Sequence, residues 1–255
     1  MLKEIRWIMT DLDDTLLGKD GNISKRTLRC LEKCREQGLM IGFVTARPLV
    51  RSVELTLQFA PDLLIFGGGA GQMYKGWLCD LLPLEADTVK TVLELQREDR
   101  LIKHIIADGL GPRYTDSEAL LGRIPHSVLW DFNTDLPPER LSFVAWLNGN
   151  SALNEMKKRL PNATVMPFAK PNMCRISDPQ ATKYAAITRF CRKEGIAPEQ
   201  VIAFGDDMPD LEMLEKFTGV AMENACEEVK AAAKYITCAN AEDGVAVFIE
   251  KHLLR

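Results

Sequence analysis

An acidic stretch that directly follows an apolar run constrains this chain more than any other feature of its sequence. Ile5 to Met9 is nearly all apolar, as in a central parallel strand covered on both faces. Three carboxylates follow within four residues, at Asp11, Asp13 and Asp14. Like charges held this close raise one another's pKa or require a cation, and oxygen ligands suit a hard ion such as Mg²⁺. The stretch therefore predicts a metal-dependent phosphate site with an aspartate nucleophile.

The rest of the chain alternates strands and helices in the manner of an α/β protein. Apolar runs predict strands at Met40 to Val44, Leu63 to Phe66 and Val201 to Phe204, and helical spacing predicts a helix over Pro179 to Cys191. The glycine-rich run 67–71 does not fit a nucleotide-binding pattern and indicates a hinge or a tight turn. This order predicts a Rossmann-like, doubly wound parallel sheet, whose ligands lie beyond the carboxyl ends of its strands.

The middle of the chain has a different character. From residue 84 to residue 171 the expected strands outnumber the helices, and they alternate apolar and polar residues, as in Ser142 to Leu147 and in Ser127 to Phe132. We therefore predict an α/β core over residues 1–83 and 172–255, interrupted by an α+β cap over residues 84–171. We expect the cap to act as a lid that selects the substrate.

Functional groups follow several of the predicted strands. Besides the first acidic stretch, they include a hydroxyl, a lysine in an apolar helix start and a second acidic cluster: Thr45, Lys183, Asp206, Asp207 and Asp210. The carboxyl ends of parallel neighbouring strands meet at one edge of a sheet, so these groups can surround a single site. Two acidic clusters with a threonine and a lysine favour Mg²⁺ and a phosphoryl group, and an aspartate can attack phosphorus.

The residues that carry these groups form four ordered motifs. They are Asp11-Leu12-Asp13-Asp14-Thr15-Leu16, Val44-Thr45-Ala46-Arg47, Lys183, and Gly205-Asp206-Asp207 with Asp210. In this order they resemble the motifs of the haloacid dehalogenase (HAD) superfamily. The tail, with Met222, Asn224, Ala225 and the run 242–246, resembles the Cof-type sugar-phosphatase-like branch. The chain departs from that branch at Gly68-Gly69, Tyr184, Pro209 and Glu223, none of which is a catalytic group.

The resemblance implies a role for each motif residue. Asp11 is expected to be the nucleophile and a metal ligand, and Asp13 the general acid and base that also binds the metal through its carbonyl. The resemblance implies substrate binding at the transferring phosphoryl group by Thr45, Ala46, Arg47 and Lys183. It implies metal binding by Asp206, with support from Asp207 and Asp210. Two alternatives stay open: Asp207 and Asp210 can instead complement a helix dipole, and Arg47 can instead pair with a carboxylate.

The composition limits the possible partners. A net charge of -4 argues against a general nucleic-acid or membrane-surface binder. The seven cysteines are scattered without a CxxC pair, and we see no signal peptide, so we expect reduced thiols in a cytoplasmic protein. We expect a monomer or small homo-oligomer whose partner is a small phosphorylated metabolite.

The favoured function is a Mg²⁺-dependent phosphatase that hydrolyses a small organophosphate, such as a sugar phosphate, through an aspartyl-phosphate intermediate. A phosphomutase of the same superfamily would use the same aspartates. A catalytically silent binding or regulatory protein on this fold is the third possibility, against which the intact motif set argues.

Overall fold

The computed structural model describes residues 4–97, 100–130, 140–149, 151–168 and 170–254. The strands are β1 (Trp7–Thr10), β2 (Met40–Val44), β3 (Leu63–Phe66), β4 (Gly71–Tyr74), β5 (Trp77–Leu81), β6 (Ile102–Asp108), β7 (Arg113–Thr115), β8 (Ser127–Leu129), β9 (Ser142–Leu147), β10 (Thr164–Pro167), β11 (Met173–Ser177), β12 (Val201–Gly205), β13 (Thr218–Ala221) and β14 (Tyr235–Ile236). The α-helices are α1 (Lys25–Glu36), α2 (Leu49–Thr56), α3 (Ala86–Arg97), α4 (Glu118–Leu121), α5 (Ala152–Arg159), α6 (Lys183–Glu194), α7 (Leu211–Lys216), α8 (Glu227–Ala232) and α9 (Gly244–His252).

The chain divides into two compact units, and the first comprises Met1–Ala46, Glu54–Asp80 and Thr182–Arg255. Its sheet has the strand order β14-β13-β12-β1-β2-β3-β4-β5. The strands from β14 to β3 are parallel, and β4 is antiparallel to β3. The predicted doubly wound parallel sheet is confirmed.

Strand β1 lies in the middle of this sheet, between β12 and β2. All four of its residues are buried, as its apolar sequence predicts for a strand covered on both faces. On one face, Trp7 makes an edge-to-face contact with Phe190 of α6 at 5.1 Å between ring centroids. Because β1 ends at Thr10, the acidic stretch begins where this buried strand leaves the sheet.

The second unit comprises Arg47–Val53 and Leu81–Ala181. Its sheet has the order β10-β11-β9-β6-β7-β8, and neighbouring strands are antiparallel except for the parallel pair β7 and β8. Apolar residues from one face of β9, such as Phe143 and Ala145, share a buried cluster with Val92 of α3 and Met156 of α5. The unit therefore has α+β character.

The bounds of the second unit differ from those of the predicted cap. Strand β11 pairs with β9, so this sheet continues past residue 171. The segment Arg47–Val53 also groups with the unit. The role of the unit as a substrate-selecting lid stays a prediction. Of the strand predicted over Ser127 to Phe132, Ser127–Leu129 is present, and residues 131–139 lie outside the described part of the chain.

Helix α6 begins later than the sequence predicts. It was expected from Pro179, but the carboxylate of Asp178 accepts the N–H of Gln180 at 2.7 Å and holds the chain in a turn. The helix begins at Lys183, and the hydroxyl of the preceding residue, Thr182, accepts the N–H of Ala185 at 3.1 Å as an N-cap. The cap places Lys183 in the first turn of α6.

Within the described ranges, no helix is both long enough and apolar enough to span a membrane.

The packing of α7 on β13 can be tested at Gly219. A Cβ atom at Gly219 would overlap the backbone of Leu214 in α7. Since backbone atoms cannot move aside as a flexible side chain can, we expect Gly219→Ala to lower the free energy of unfolding by about 1–3 kcal/mol, measured by urea denaturation. Gly111→Ala is the control, because a Cβ atom there meets nothing within 4 Å. Equal unfolding midpoints for the two variants would contradict this packing.

Candidate active site

The site is built at the carboxyl ends of three neighbouring parallel strands. In the register of the sheet, Thr10 of β1 lies opposite Phe204 of β12 on one side and Phe43 of β2 on the other. The N–H of Asp11 donates to the carbonyl of Phe204 at 3.0 Å, which extends the ladder by one residue. Asp11 is therefore held at the sheet edge, between the loop that follows β2 and the loop that follows β12.

Lys183 connects the first acidic stretch with the second. Its Nζ donates to Oδ1 of Asp11 and to Oδ1 of Asp210, each at 2.5 Å, and the residue is only 4% exposed. Burial lowers the pKa of Lys183, but the negative charges of Asp11 and Asp210 outweigh it, so the net shift is upward. The ammonium group stays charged and acts as a fixed cation between two carboxylates.

Asp210 holds the loop after β12 in place. While its Oδ1 accepts Lys183, its Oδ2 accepts the N–H groups of Asp206 at 3.1 Å and Asp207 at 3.3 Å. A Cβ atom at Gly205 would overlap the side chain of Asp210, so the close approach requires glycine at that position. Asp210 is 1% exposed, and it binds Lys183 and two backbone N–H groups in addition to any interaction with a helix dipole.

A hydroxyl joins the loop after β1 to the loop after β12. Thr15 donates its Oγ1 hydrogen to Oδ1 of Asp206 at 2.5 Å, and Thr15 is 1% exposed. The sequence motif contains Thr15, but nothing in its spacing indicated that the hydroxyl reaches residue 206. Thr15 is therefore a site residue that the sequence analysis missed.

Two asparagines of the tail fasten the same loop. The Nδ2 of Asn224 donates to the carbonyl of Asp14 at 2.8 Å, and the Nδ2 of Asn240 donates to the carbonyl of Leu17 at 2.9 Å. The two asparagines are themselves linked, because the N–H of Asn240 donates to Oδ1 of Asn224 at 3.0 Å. Asp14 has a positive φ of 58°, and the bond from Asn224 holds this turn. The tail motif therefore contributes to the shape of the acidic loop.

Three carboxylates of this site are close enough to share one ion. One carboxylate oxygen each from Asp11, Asp206 and Asp210 lie within 4.8 Å of one another. Burial, together with the charges of Asp210 and Asp206, raises the pKa of Asp11 to about 8 against the opposing charge of Lys183. Burial likewise raises the pKa of Asp206 to about 7, although the hydrogen bond from Thr15 opposes the shift. With all four groups ionised, three carboxylates and one ammonium leave two negative charges, which a divalent cation with a preference for oxygen ligands would neutralise.

The other predicted metal ligands lie differently. Asp13 is exposed, and Asp207 is exposed with its Oδ1 accepting the N–H of Met208 at 2.8 Å. Neither carboxylate belongs to the group of three that the described residues form. The predicted contact of Asp13 through its backbone carbonyl and the metal role of Asp207 stay predictions.

Thr45 lies at the end of β2, where the sequence placed it. It is fully buried, its N–H donates to the carbonyl of Ile65 at 2.8 Å, and its carbonyl accepts the N–H of Gly68 at 2.9 Å. The amide of Thr45 is thus part of the sheet ladder. The amides expected to bind phosphate are therefore those of the residues that follow Thr45. Ala46 is exposed in the first unit, and Arg47 falls in the second unit, so the predicted role of Arg47 stays a prediction.

Comparison with known proteins gives a consistent result. A family model described as haloacid dehalogenase-like hydrolase matches residues 8–249. Among the curated relatives, 5-amino-6-(5-phospho-D-ribitylamino)uracil phosphatase YcsE of Bacillus subtilis is 26% identical over 98% of this chain and 97% of its own length. Pyridoxal phosphate phosphatase YbhA of Escherichia coli is 28% identical over 98% of this chain and 99% of its own length. Among solved structures, a haloacid dehalogenase-like hydrolase from B. subtilis superposes with a TM-score of 0.83 at 22% identity, covering 98% of this chain and 100% of that one.

Burial of the Asp11 carboxylate close to Asp210 and Asp206 predicts that Asp11→Asn stabilises the chain when divalent cations are chelated. Since the folded state raises the pKa of Asp11 from 3.8 to about 8, its ionised form is disfavoured on folding, and stability is lost as the pH rises between these values. Each kcal/mol regained corresponds to about 2–4 °C in Tm for a chain of this size, and we expect a rise of at least that at a pH of about 8. The gain should shrink as the pH is lowered toward about 5.

Asp207→Asn is the matched control for this Tm series. It removes one negative charge from the neighbouring loop after β12, at an exposed position, so we expect no change in Tm. If Asp11→Asn gave no rise in Tm at a pH of about 8 in chelator, or if Asp207→Asn gave an equal rise, the buried charge of Asp11 would not destabilise the fold as predicted.

Proposed function

This chain belongs to the haloacid dehalogenase-like hydrolases and is a phosphatase of that superfamily, and from this premise we propose that it hydrolyses a small phosphorylated metabolite with Mg²⁺ through an aspartyl-phosphate intermediate. The observation that carries the proposal is the close group of Asp11, Asp206 and Asp210, of which Asp11 and Asp210 are buried and bind the ammonium of Lys183. This group combines a nucleophile, a fixed positive charge and an excess of negative charge that suits a divalent ion.

Asp11 begins the reaction. A carboxylate oxygen of Asp11 attacks the phosphorus atom of the substrate, the new O–P bond forms, and the ester O–P bond to the leaving group breaks. The electron pair of that bond goes to the leaving oxygen. Lys183, which contacts Asp11 in the structure, stabilises the negative charge of the attacking carboxylate and of the phosphoryl oxygens.

Asp13 moves the protons. In its protonated form it donates to the leaving oxygen, so that an alcohol departs. It then accepts a proton from the water that attacks the phosphorus atom of the intermediate. The bond between phosphorus and Asp11 breaks, inorganic phosphate leaves, and Asp11 and Asp13 return to their starting states. The position of Asp13 two residues after Asp11, with extended backbone dihedral angles, supports this division of roles.

Mg²⁺ would be held by Asp11 and Asp206, with support from Asp210 and from the carbonyl of Asp13. When bound, the ion offsets the repulsion between the carboxylates and the phosphate dianion. The hydroxyl of Thr15 orients Asp206 toward this position, and Asp210 keeps the loop of Asp206 in place.

The relatives support the class of substrate. By name, one acts on 5-amino-6-(5-phospho-D-ribitylamino)uracil and another on pyridoxal phosphate, which are both small phosphate monoesters. We assign this chain to the same class. A panel of such esters, assayed with Mg²⁺ and with chelator, tests the assignment, and release of inorganic phosphate instead of an isomeric ester separates hydrolysis from a mutase reaction.

The nucleophile is tested by Asp11→Asn. Because an amide cannot form the acyl phosphate, we expect kcat for Mg²⁺-dependent phosphate release to fall by about 10³-fold or more. Asp14→Asn is the control, since it removes a carboxylate three residues away, and asparagine tolerates the positive φ at this position. Full activity of Asp11→Asn would exclude the covalent mechanism.

The orientation of Asp206 is tested by Thr15→Val. Valine keeps the shape of the side chain but removes the donor to Asp206, and loss of a partner that orients a metal ligand costs about 10–100-fold in metal affinity or activity. We expect the Mg²⁺ concentration for half-maximal activity to rise within that range. Thr15→Ser keeps the hydroxyl and should stay close to the unmodified chain. Equal Mg²⁺ requirements for the two variants would show that the hydroxyl does not orient the ligand.

A further inference from the structure

Helix α6, which carries Lys183, is also held by a polar network outside the catalytic group. Two turns along the helix from Lys183, the guanidinium of Arg189 donates through Nε to Oδ2 of Asp80 at 2.8 Å. Through Nη2 it donates to the carbonyl of Gly69 at 2.9 Å. The helix is thereby tied to strand β5 and to the glycine loop that follows β3.

Gln72 completes this network from strand β4. Its Nε2 donates to Oδ2 of Asp80 at 3.0 Å and to the carbonyl of Ala186 at 2.9 Å. Gln72 is 1% exposed, and its bond to Ala186 is buried, whereas its bond to Asp80 is partly buried. Ala186 lies one turn from Lys183, so the network contacts α6 at two successive turns, at Ala186 and at Arg189.

The glycine loop meets the start of the same helix. Gly69 has a φ of +109°, and a Cβ atom there would overlap the backbone of Thr182, the residue before Lys183. The loop that the sequence analysis interpreted as a hinge or a tight turn therefore packs directly against the N-terminus of α6. Glycine is required at position 69 both for its dihedral angles and for this close approach.

We propose that Arg189, together with Asp80 and Gln72, is a positioning set that fixes α6 so that Lys183 reaches Asp11 and Asp210. This inference rests on the proposed function, in which Lys183 stabilises the attacking carboxylate. Asp80 of this set is the last residue before the chain leaves the first unit for residues 81–181, and Thr182, which the glycine loop contacts, is the first residue after that segment.

Because the ion pair between Arg189 and Asp80 is partly exposed, its effect on the position of α6 can be measured apart from its effect on folding stability. The side chains of Arg189 and Asp80 are 24% and 32% exposed, and pairs so open to solvent contribute only about 0–1 kcal/mol to folding. Catalysis is more sensitive, because a misplacement of about 1 Å can cost about 10²-fold in rate. Loss of the pair should therefore affect the reaction far more than it affects the fold.

The experiment compares Arg189→Gln with Arg26→Gln. Arg26 forms a surface ion pair with Glu250 at 2.6 Å in the same unit, so its variant removes an equivalent charge pair away from α6. For Arg189→Gln we expect kcat on p-nitrophenyl phosphate with Mg²⁺ to fall by about tenfold or more, with KM and Tm nearly unchanged. Arg189→Lys, which keeps the charge and one donor, should recover part of kcat, and Arg26→Gln should behave like the unmodified chain.

A second readout does not depend on activity. The modification rate of the Lys183 amine by an acylating reagent, followed by peptide mass spectrometry, reports how firmly the ammonium is buried. We expect Arg189→Gln to raise this rate by about tenfold and Arg26→Gln to leave it unchanged.

The two readouts distinguish the possible failures. An unchanged modification rate at Lys183 in Arg189→Gln, or a kcat equal to that of Arg26→Gln in an active enzyme, overturns the positioning role. If the chain without substitutions hydrolyses no phosphate ester, while Arg189→Gln raises the acylation rate of Lys183, the proposed function is overturned and the positioning contact is supported.

Discussion

The buried ammonium of Lys183, shared by Asp11 and Asp210 at 2.5 Å each, is the interaction on which the site depends. Charges removed from water are tolerated only when they are paired and hydrogen-bonded. Lys183 neutralises one of the three carboxylates that the strand ends bring together, and burial, together with the neighbouring carboxylates, still raises the pKa values of Asp11 and Asp206. A site with this imbalance is suited to a divalent cation and to the phosphate that such a cation would bind.

The fold holds the charged groups of the site together through hydrogen bonds that fix the loops after β1 and β12. Asp11 follows the central strand, and the loop after it is fastened through Thr15 to Asp206 and through Asn224 to the tail. Asp210 does the same for the loop after β12, because one carboxylate binds Lys183 and two backbone N–H groups. The start of α6 is held against the glycine loop in a comparable way. Thr15, Asn224 and the glycine loop, none of which is assigned to the phosphate or the metal, thus help to orient the groups that are.

The sequence predicts the parallel core well because that core obeys local rules. Strands Met40–Val44 and Leu63–Phe66 have the predicted bounds, since each is a short apolar run between polar or turn-forming residues. The hairpin of β4 and β5 was missed, although Gly76 after Lys75 is a turn signal. Its strands are short and partly polar, so their periodicity is weak. The predicted start of α6 at Pro179 is wrong because the hydrogen bond from Gln180 to Asp178 competes with helix formation.

The chemical groups of the site could be predicted, but their connections could not. Motif order identified Asp11, Lys183 and the second acidic cluster as candidates. The bonds of Asp210 to Lys183 and of Thr15 to Asp206 span 27 and 191 residues, and no spacing rule reaches that far. Acid quenching of the enzyme during turnover with a phosphate monoester and Mg²⁺, followed by mass spectrometry of the peptide that contains Asp11, tests whether Asp11 is the nucleophile. We expect the added mass of one phosphoryl group on Asp11, lost again as the substrate is exhausted. Turnover with Asp11 unmodified at every quench time, or the phosphoryl group on another residue, would exclude Asp11 as the nucleophile.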